Sequence, residues 1–300
     1  HYPLRRQRQM CIRDSGIKVS SDIKSEIKKE ISSFKKDGKR VPSLSIVLVG
    51  NHTASSIYVN AKVRACKDVG IDVNLINLND NISELDLLKI ISELNNKSDL
   101  DGFIVQLPLP PQVNVQNVID SISPAKDVDG FTNDNIGSIT SEVKKLLPAT
   151  GLGVMTLIER YNIDIESKSC AILGSSRNVG AAIAQMLMQK EKVTITVCNS
   201  KTKNLKEITS NADIIISAVG KPNLVTSDMV KEGAVIIDVG ISRIRDDSKK
   251  SGYRIVGDVD YENVLPKVSL ITPVPGGVGP MTIASLIQNT LRAYKNNEKR

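Results

Sequence analysis

The stretch SCAILGSSRNVGAAIAQMLM, residues 169–188, holds a short apolar run, a glycine-bounded turn and a second apolar run in immediate succession. Ser169 to Leu173 has the length and composition of a buried strand, and Val179 to Lys190 carries the spacing of a helix. Between them lies Gly174-Ser175-Ser176-Arg177-Asn178-Val179-Gly180. A glycine at each end lets the chain bend and turn the N-terminus of a helix, with its unpaired amides, towards a phosphate. The middle glycine of the GxGxxG fingerprint is absent, so the turn alone suits either a dinucleotide site or a plain strand-to-helix connection.

Working outward, strands are expected at Val193 to Cys198, Ile214 to Ala218 and Ala234 to Val239, with a shorter helix after Lys203. That is a Rossmann-like series. Upstream, Ile23, Ile27, Ile31 and Phe34 recur at helical spacing from Ser20. A strand (Ser45 to Val49), a helix (Ser55 to Val69), a strand (Val73 to Leu78), a helix (Ser83 to Leu94) and a strand (Gly102 to Gln106) follow, and Pro148 to Gly153 reads as irregular. Strand and helix alternating at this pace predict βαβ units on mostly parallel sheets. The fold class is therefore α/β with two domains. The expected division is an N-terminal α/β substrate and catalytic domain over 16–147, joined by 281–300, and a Rossmann-like dinucleotide-binding domain over 148–280. A final helix from about Met281 to Tyr294 is expected to return to the first domain. Residues 1–15 have neither an apolar signal core nor a helical stripe and read as a non-native leader.

With 40% hydrophobic and 24% charged residues over 300 positions, the chain is globular and long enough for two domains. Its apolar runs fall far short of a bilayer span, so no membrane partner is expected. The net charge of +7 is partly due to Arg5, Arg6, Arg8 and Arg13, and elsewhere lysines alternate with acids. Only three Phe and six Tyr are present to stack on bases, so no nucleic-acid partner is expected either. Cys11, Cys66, Cys170 and Cys198 form no CxxC pair, which points to reduced thiols in the cytoplasm. With His1 and His52 the only histidines, the chemistry is to be sought in other residue types, and no metal is expected.

After Cys198 the chain reads Asn199-Ser200-Lys201-Thr202, where an NAD-specific site usually offers an acid to the ribose. Hydroxyls and a lysine suit a 2′-phosphate better. Ala218-Val219-Gly220 and Asp238-Val239-Gly240 put glycines at two later strand ends, where a nicotinamide ribose would pass over the carboxyl edge of the sheet. Each glycine could equally serve a tight turn. The loop Thr272-Pro273-Val274-Pro275-Gly276-Gly277-Val278-Gly279-Pro280 combines fixed and exposed backbone, as a ligand wall does. In the first half, Tyr58 and Lys62 lie one helical turn apart, by themselves no more than a surface pair. Gln106 at a strand end and the loop Lys126-Asp127-Val128-Asp129-Gly130 would meet them if the carboxyl ends of the strands face one crevice.

Taken together, Tyr58-x-x-x-Lys62, VQLPLP, KDVDGF, AVGKP, IDVGI, GDVDYE and TPVPGGVGPMT resemble the bifunctional methylenetetrahydrofolate dehydrogenase/cyclohydrolase family, in the family's order over residues 43–290. The resemblance implies oxidation of 5,10-methylenetetrahydrofolate with NADP (or NAD), then hydrolysis of the methenyl product to 10-formyltetrahydrofolate. It implies Lys62 as the catalytic lysine, Gln106 as its partner, Tyr58 as the platform for the substrate, and Asp129 as the pterin anchor. Pro273, Gly276 and Gly277 would line the substrate. Gly174, Ser175, Ser176, Arg177, Val179, Gly180, Ser200, Lys201, Ala218, Val219, Gly220, Gly240, Ile241 and Thr282 would hold the cofactor. Tetrahydrofolate derivatives as ligands, a homodimer and a place in purine biosynthesis are also implied. Three positions depart from the family: Ser175 where Arg is usual, Asn199 where His is common, and Pro148-Ala149-Thr150-Gly151 for Pro-Cys-Thr-Pro. The first two weaken the expected preference for NADP.

Overall fold

The computed structural model describes residues 15–50, 53–141, 145–190, 192–249 and 252–299. Expectations about residues 1–14, with His1 and Cys11, and about His52 lie outside the described residues. In chain order the elements are α1 (Ser15–Lys36), β1 (Ser43–Val49), α2 (Thr53–Val69), β2 (Asp72–Leu78), α3 (Glu84–Asn96), β3 (Gly102–Val105), α4 (Val115–Ser121), α5 (Asn133–Gly137), α6 (Ala149–Arg160), β4 (Lys168–Leu173) and α7 (Gly180–Met188). They continue with β5 (Val193–Cys198), α8 (Leu205–Asn211), β6 (Ile214–Ser217), β7 (Val235–Asp238), β8 (Ser242–Arg245), β9 (Tyr253–Val256), α9 (Tyr261–Val264), β10 (Leu270–Ile271) and α10 (Val278–Asn297). The chain divides into two compact units, 21–149 with 283–300 and 150–282 with the residues up to Ser20. No helix among the described residues is long and apolar enough to cross a membrane.

The unit formed by 21–149 and 283–300 is built on a parallel sheet of order β2-β1-β3. Central β1 is buried along nearly its whole length, which explains why it is a continuous apolar run, whereas edge strand β2 alternates. On α1, Ile23, Ile27 and Ile31 are buried. On α3 the Ser83 hydroxyl accepts the Asp86 amide at 3.1 Å, and Leu87, Ile91 and Leu94 go inside. The C-terminal part of α10 returns to this unit. Tyr294 packs on Phe34 with ring centroids 5.1 Å apart, and the Arg40 guanidinium lies 4.6 Å over the Tyr294 ring. Arg40 also grips the buried Asp101 through two nitrogens at 2.7 and 2.8 Å. The Ser43 amide and the Asn297 side chain complete the Asp101 acceptor set. A charge so enclosed is tolerated because every lone pair is met.

The unit of 150–282 is Rossmann-like, a parallel sheet of order β10-β7-β6-β4-β5. Its core includes Ala171, Leu173, Ile215, Ile236 and Ile271. Three features differ from the sequence expectation. Helix α1 begins at Ser15 instead of Ser20, because Gly16 fits flush against the proline-glycine loop: a Cβ there would stand 1.7 Å from Gly277 O, and the Ile17 amide donates to Gly276 O at 3.1 Å. Residues expected to be irregular around Pro148 to Gly153 begin α6 at Ala149. Gly151 and Gly153 are poor helix formers, but an added Cβ would meet Met186 Sδ and Met281 Cβ at 3.0 Å, so close packing overrides propensity. Finally, β8 and β9 form an antiparallel hairpin that the sequence did not announce, with the Arg243 guanidinium 4.5 Å over the Tyr253 ring.

Candidate active site

Helix α2 carries Tyr58 and Lys62 on one face, and the pair meets as its spacing predicts. Lys62 Nζ lies 4.9 Å from the centre of the Tyr58 ring, and only 3% of Lys62 remains exposed. The same ammonium donates to Gln106 Oε1 at 3.1 Å. Gln106 directly follows β3, and its amide continues the ladder to Val47 O at 2.8 Å, which fixes where its side chain starts. Its Nε2 donates to Leu107 O at 2.7 Å, so the oxygen is the atom left for the lysine.

Asp129 reaches this neighbourhood because the segment before it runs beside β3. The Phe103 amide donates to Lys126 O at 2.9 Å, and Phe103 bridges Asp127 in parallel fashion. The following bend is fixed by the buried Asp127 carboxylate, which accepts from the amides of Gly130 (2.9 Å) and Thr132 (2.7 Å) and from Asn135 Nδ2 (2.9 Å). Gly130 has φ +74°, and a Cβ there would stand 2.5 Å from Leu147 C, so no other residue fits. Asn289 of α10 donates at 2.8 Å to both Val128 O and Leu147 O. Burial pushes the Asp129 carboxyl above its ordinary value, the Lys62 charge draws it back down, and the Asp127 charge adds to the rise. A small cavity beside it is lined by Ile104, Leu107, Ile119, Phe131 and Asp129.

Tyr58, Lys62, Gln106 and Asp129 are thus brought into one neighbourhood. Asp127 and Asn289, which hold the Asp129 loop, were not singled out by sequence. Asp127 sits in the same KDVDG run and gave a signal of sorts. Asn289 gave only an amide inside an apolar helix.

In the other unit, β4 and β5 pair with Leu173 opposite Cys198, so the loops after them leave from adjacent strand ends. Gly174 has φ +101°, and a Cβ there would meet Ala218 O at 2.3 Å; on Gly180 it would meet Gly174 O at 1.8 Å. Both glycines of the turn are therefore required by its own tight closure. Ser175 and Ser176 are exposed, Arg177 and Val179 half-buried, and α7 has no side-chain cap on its first amides. After β5, Asn199 Oδ1 accepts the Lys201 amide at 2.9 Å, and Ser200 and Lys201 face solvent. No carboxylate occurs between Cys198 and Asn204, and the hydroxyls of Ser200 and Thr202, the Asn199 amide and the two lysines, Lys201 and Lys203, form a donor set that fits a phosphorylated ribose.

The loops after β6 and β7 also leave from paired strand ends, Ser217 opposite Asp238. They expose Val219 and Ile241, and the space a Cβ on Gly220 would fill is open. In the proline-glycine loop the Gly277 amide donates to Pro273 O at 2.8 Å. Gly276 has φ +114°, and the Thr282 hydroxyl is turned to Val278 O. Cys66, Cys170 and Cys198 are buried free thiols, and burial pushes those of Cys66 and Cys170 up to about 12.

Residues 15–129 match the family model described as tetrahydrofolate dehydrogenase/cyclohydrolase, catalytic domain, and residues 148–298 match that described as tetrahydrofolate dehydrogenase/cyclohydrolase, NAD(P)-binding domain. The bifunctional protein FolD of Cytophaga hutchinsonii is 50% identical over 280 residues, 92% of this chain and 97% of that protein. The solved bifunctional FolD methylenetetrahydrofolate dehydrogenase/cyclohydrolase of Campylobacter jejuni is 44% identical with a TM-score of 0.87, over 94% of this chain and 98% of that one. The Trypanosoma brucei N5,N10-methylenetetrahydrofolate dehydrogenase-cyclohydrolase, solved with NADP and an inhibitor, is 33% identical with a TM-score of 0.91, over 95% and 97% of the two chains. With both halves of its length matched, the chain belongs to the tetrahydrofolate dehydrogenase/cyclohydrolase family.

Proposed function

We propose that this protein oxidises 5,10-methylenetetrahydrofolate to the 5,10-methenyl form with NADP and hydrolyses that product to 10-formyltetrahydrofolate. The observation that carries the reading is the buried Lys62, held between the Tyr58 ring and Gln106 Oε1 with Asp129 near enough for its charge to be felt. NADP, when bound, supplies the hydride acceptor for the first step. The residues to hold it are the turn Gly174 to Gly180, Ser200 and Lys201 at the phosphorylated ribose, Ala218 to Gly220, Gly240, Ile241 and Thr282.

The acid–base and pterin-binding roles fall to side chains of the first unit. Asp129 accepts the amino and ring N–H donors of the pterin, a pairing that two carboxylate oxygens suit. Tyr58 packs its ring against the aminobenzoyl group. In the hydrolysis, water adds to the cationic methenyl carbon and loses a proton. The bond from that carbon to N5 then breaks, N5 takes up a proton, and one proton is released overall. Lys62 Nζ, aimed by Gln106, is the group to relay the proton between the added oxygen and N5.

The same proposal assigns 16–147 with 281–300 to folate and 148–280 to NADP, with Pro273, Gly276 and Gly277 at the substrate. It also takes the protein as a cytoplasmic homodimer supplying purine biosynthesis. Buried free cysteines support the reducing compartment. Following NADPH absorbance and methenyltetrahydrofolate decay on the purified protein tests the reading. Both activities are expected, and absence of either overturns the bifunctional assignment.

A further inference from the structure

Two carboxylates that the proposed chemistry does not use lie buried side by side beneath the loops after β6 and β7. Asp258 is fully enclosed and Asp238 is 3% exposed. Asp258 Oδ2 accepts from the Ser217 hydroxyl at 2.9 Å and the Val219 amide at 2.7 Å, and its Oδ1 accepts from the Lys221 amide at 2.8 Å. Asp238 Oδ1 accepts from the amides of Gly240 (2.9 Å) and Asp258 (3.0 Å), and its Oδ2 from that of Val259 (3.0 Å). Burial pushes the Asp238 carboxyl up to about 6 against the pull of these amides, and the Asp258 charge adds to the rise.

Room for the pair is made by glycine. A Cβ on Gly240 would stand 2.2 Å from Asp258 Oδ1, and one on Gly257 would stand 2.0 Å from Asp238 Oδ2. The missing side chain of Gly240 is thus explained from below, by a carboxylate, without a ligand above it. Apolar residues of similar volume would fill the space but leave these amides without acceptors. What carboxylates add is several acceptors aimed at named amides. Three of the five amides belong to these loops: those of Val219 and Lys221 to the segment that displays exposed Val219 and open Gly220, and that of Gly240 to the turn next to exposed Ile241. The Ser242 hydroxyl, donating to Gly220 O at 3.1 Å, ties the two loops together.

We propose that Asp258 and Asp238 are positioning residues for the nicotinamide dinucleotide, setting from beneath the height and spacing of the Val219–Gly220 and Gly240–Ile241 surfaces on which it lies. The proposal rests on the assignment of these loops to the cofactor. Because the hydrolytic step draws on Lys62, Gln106, Tyr58 and Asp129 in the other unit, loosening these loops should separate the two activities.

The test uses the full chain, with Asp258→Asn as the first variant. The amide keeps the shape but turns a donor towards N–H groups that need an acceptor. Calorimetric titration with NADP should show Kd rising roughly tenfold, the scale of one charge-assisted hydrogen bond. KM for NADP should rise in step, hydrolysis of methenyltetrahydrofolate without added NADP should stay at the parent rate, and hydrogen exchange should quicken at the Val219 and Lys221 amides. An unchanged Kd, or an equal loss of both activities with no change in those amides, overturns the proposal. If Asp258→Asn does not fold, Ser217→Ala removes one donor alone and should raise Kd about threefold, less than a full charge-assisted bond; no change there is equally fatal. A parent chain that does not bind NADP refutes the cofactor assignment itself, whereas a parent that binds with unmoved variants refutes only the role of the carboxylates.

Discussion

Lys62 and Gln106 form an oriented pair. The lysine donates to Oε1 at 3.1 Å, and the amide cannot turn over without giving up the 2.7 Å bond from Nε2 to Leu107 O. Replacing Lys62 by Met keeps length and burial but removes the proton-carrying nitrogen. Hydrolysis of methenyltetrahydrofolate should fall by about 10²- to 10⁴-fold with the melting temperature preserved. Parent-rate hydrolysis in this variant, measured by loss of methenyl absorbance, would remove Lys62 from the mechanism.

Asp129 gives a pH dependence with a definite sign. Its carboxyl is pushed above the ordinary 3.8 by burial, so acidification protonates it earlier than an exposed aspartate. In the proposed pairing the pterin is held by the anion, so folate affinity should decline as pH falls through that raised value and be flat above it. Asp129→Asn should bind folate weakly without this acid limb. In Lys62→Met, with the attracting charge gone, the limb should move to higher pH. Folate Kd from fluorescence titrations across the acid range checks all three, and an acid limb that survives in Asp129→Asn would place the titrating group elsewhere.

Ser175 is exposed at the start of the turn after β4, beside the loop that carries Ser200 and Lys201. The parent should prefer NADP modestly. Ser175→Arg should strengthen NADP binding by about 1–2 kcal/mol through a charge-assisted contact and change NAD little. Measuring kcat/KM for both cofactors at fixed salt decides it. Values that move together would show that position 175 does not face the 2′-phosphate.

Asp101→Asn should destabilise the first unit, because Arg40 would lose a bidentate partner and an amide would face the Ser43 N–H. Since Arg40 is 34% exposed and keeps its pair with Glu298, about 2–3 kcal/mol is expected, below the full loss for a wholly buried pair. Urea denaturation reads this directly, and a shift under 0.5 kcal/mol, within the range of ordinary surface changes, would contradict it.

How far the sequence could be read followed the reach of each cause. β1 and β4 stood out because strands covered on both faces are written as unbroken apolar runs. Tyr58 and Lys62 were legible because their contact is one helical turn long. The start of α1 was not, since Ser15 to Ser20 become helical against Gly276 and Gly277, far along the chain. The same holds for α6, whose glycines argue against a helix until Met186 and Met281 are seen beside them. The hairpin β8–β9 was hidden because its half-exposed strands carry arginines on a weak alternation. Asn289 supports the candidate site through bonds to two backbone carbonyls, and Asp127 mainly through bonds from backbone amides, contacts that leave little pattern in side-chain type.

The twin bonds from Asn289 to Val128 O and Leu147 O also bear on the order of events at the ribosome. Val128 and Leu147 are translated 161 and 142 residues before the amide that ties their carbonyls together. Until Asn289 is made, neither carbonyl can receive this donor. The loop that carries Asp129 is therefore tied down only after the Rossmann-like unit between the two parts of its own unit has been synthesised.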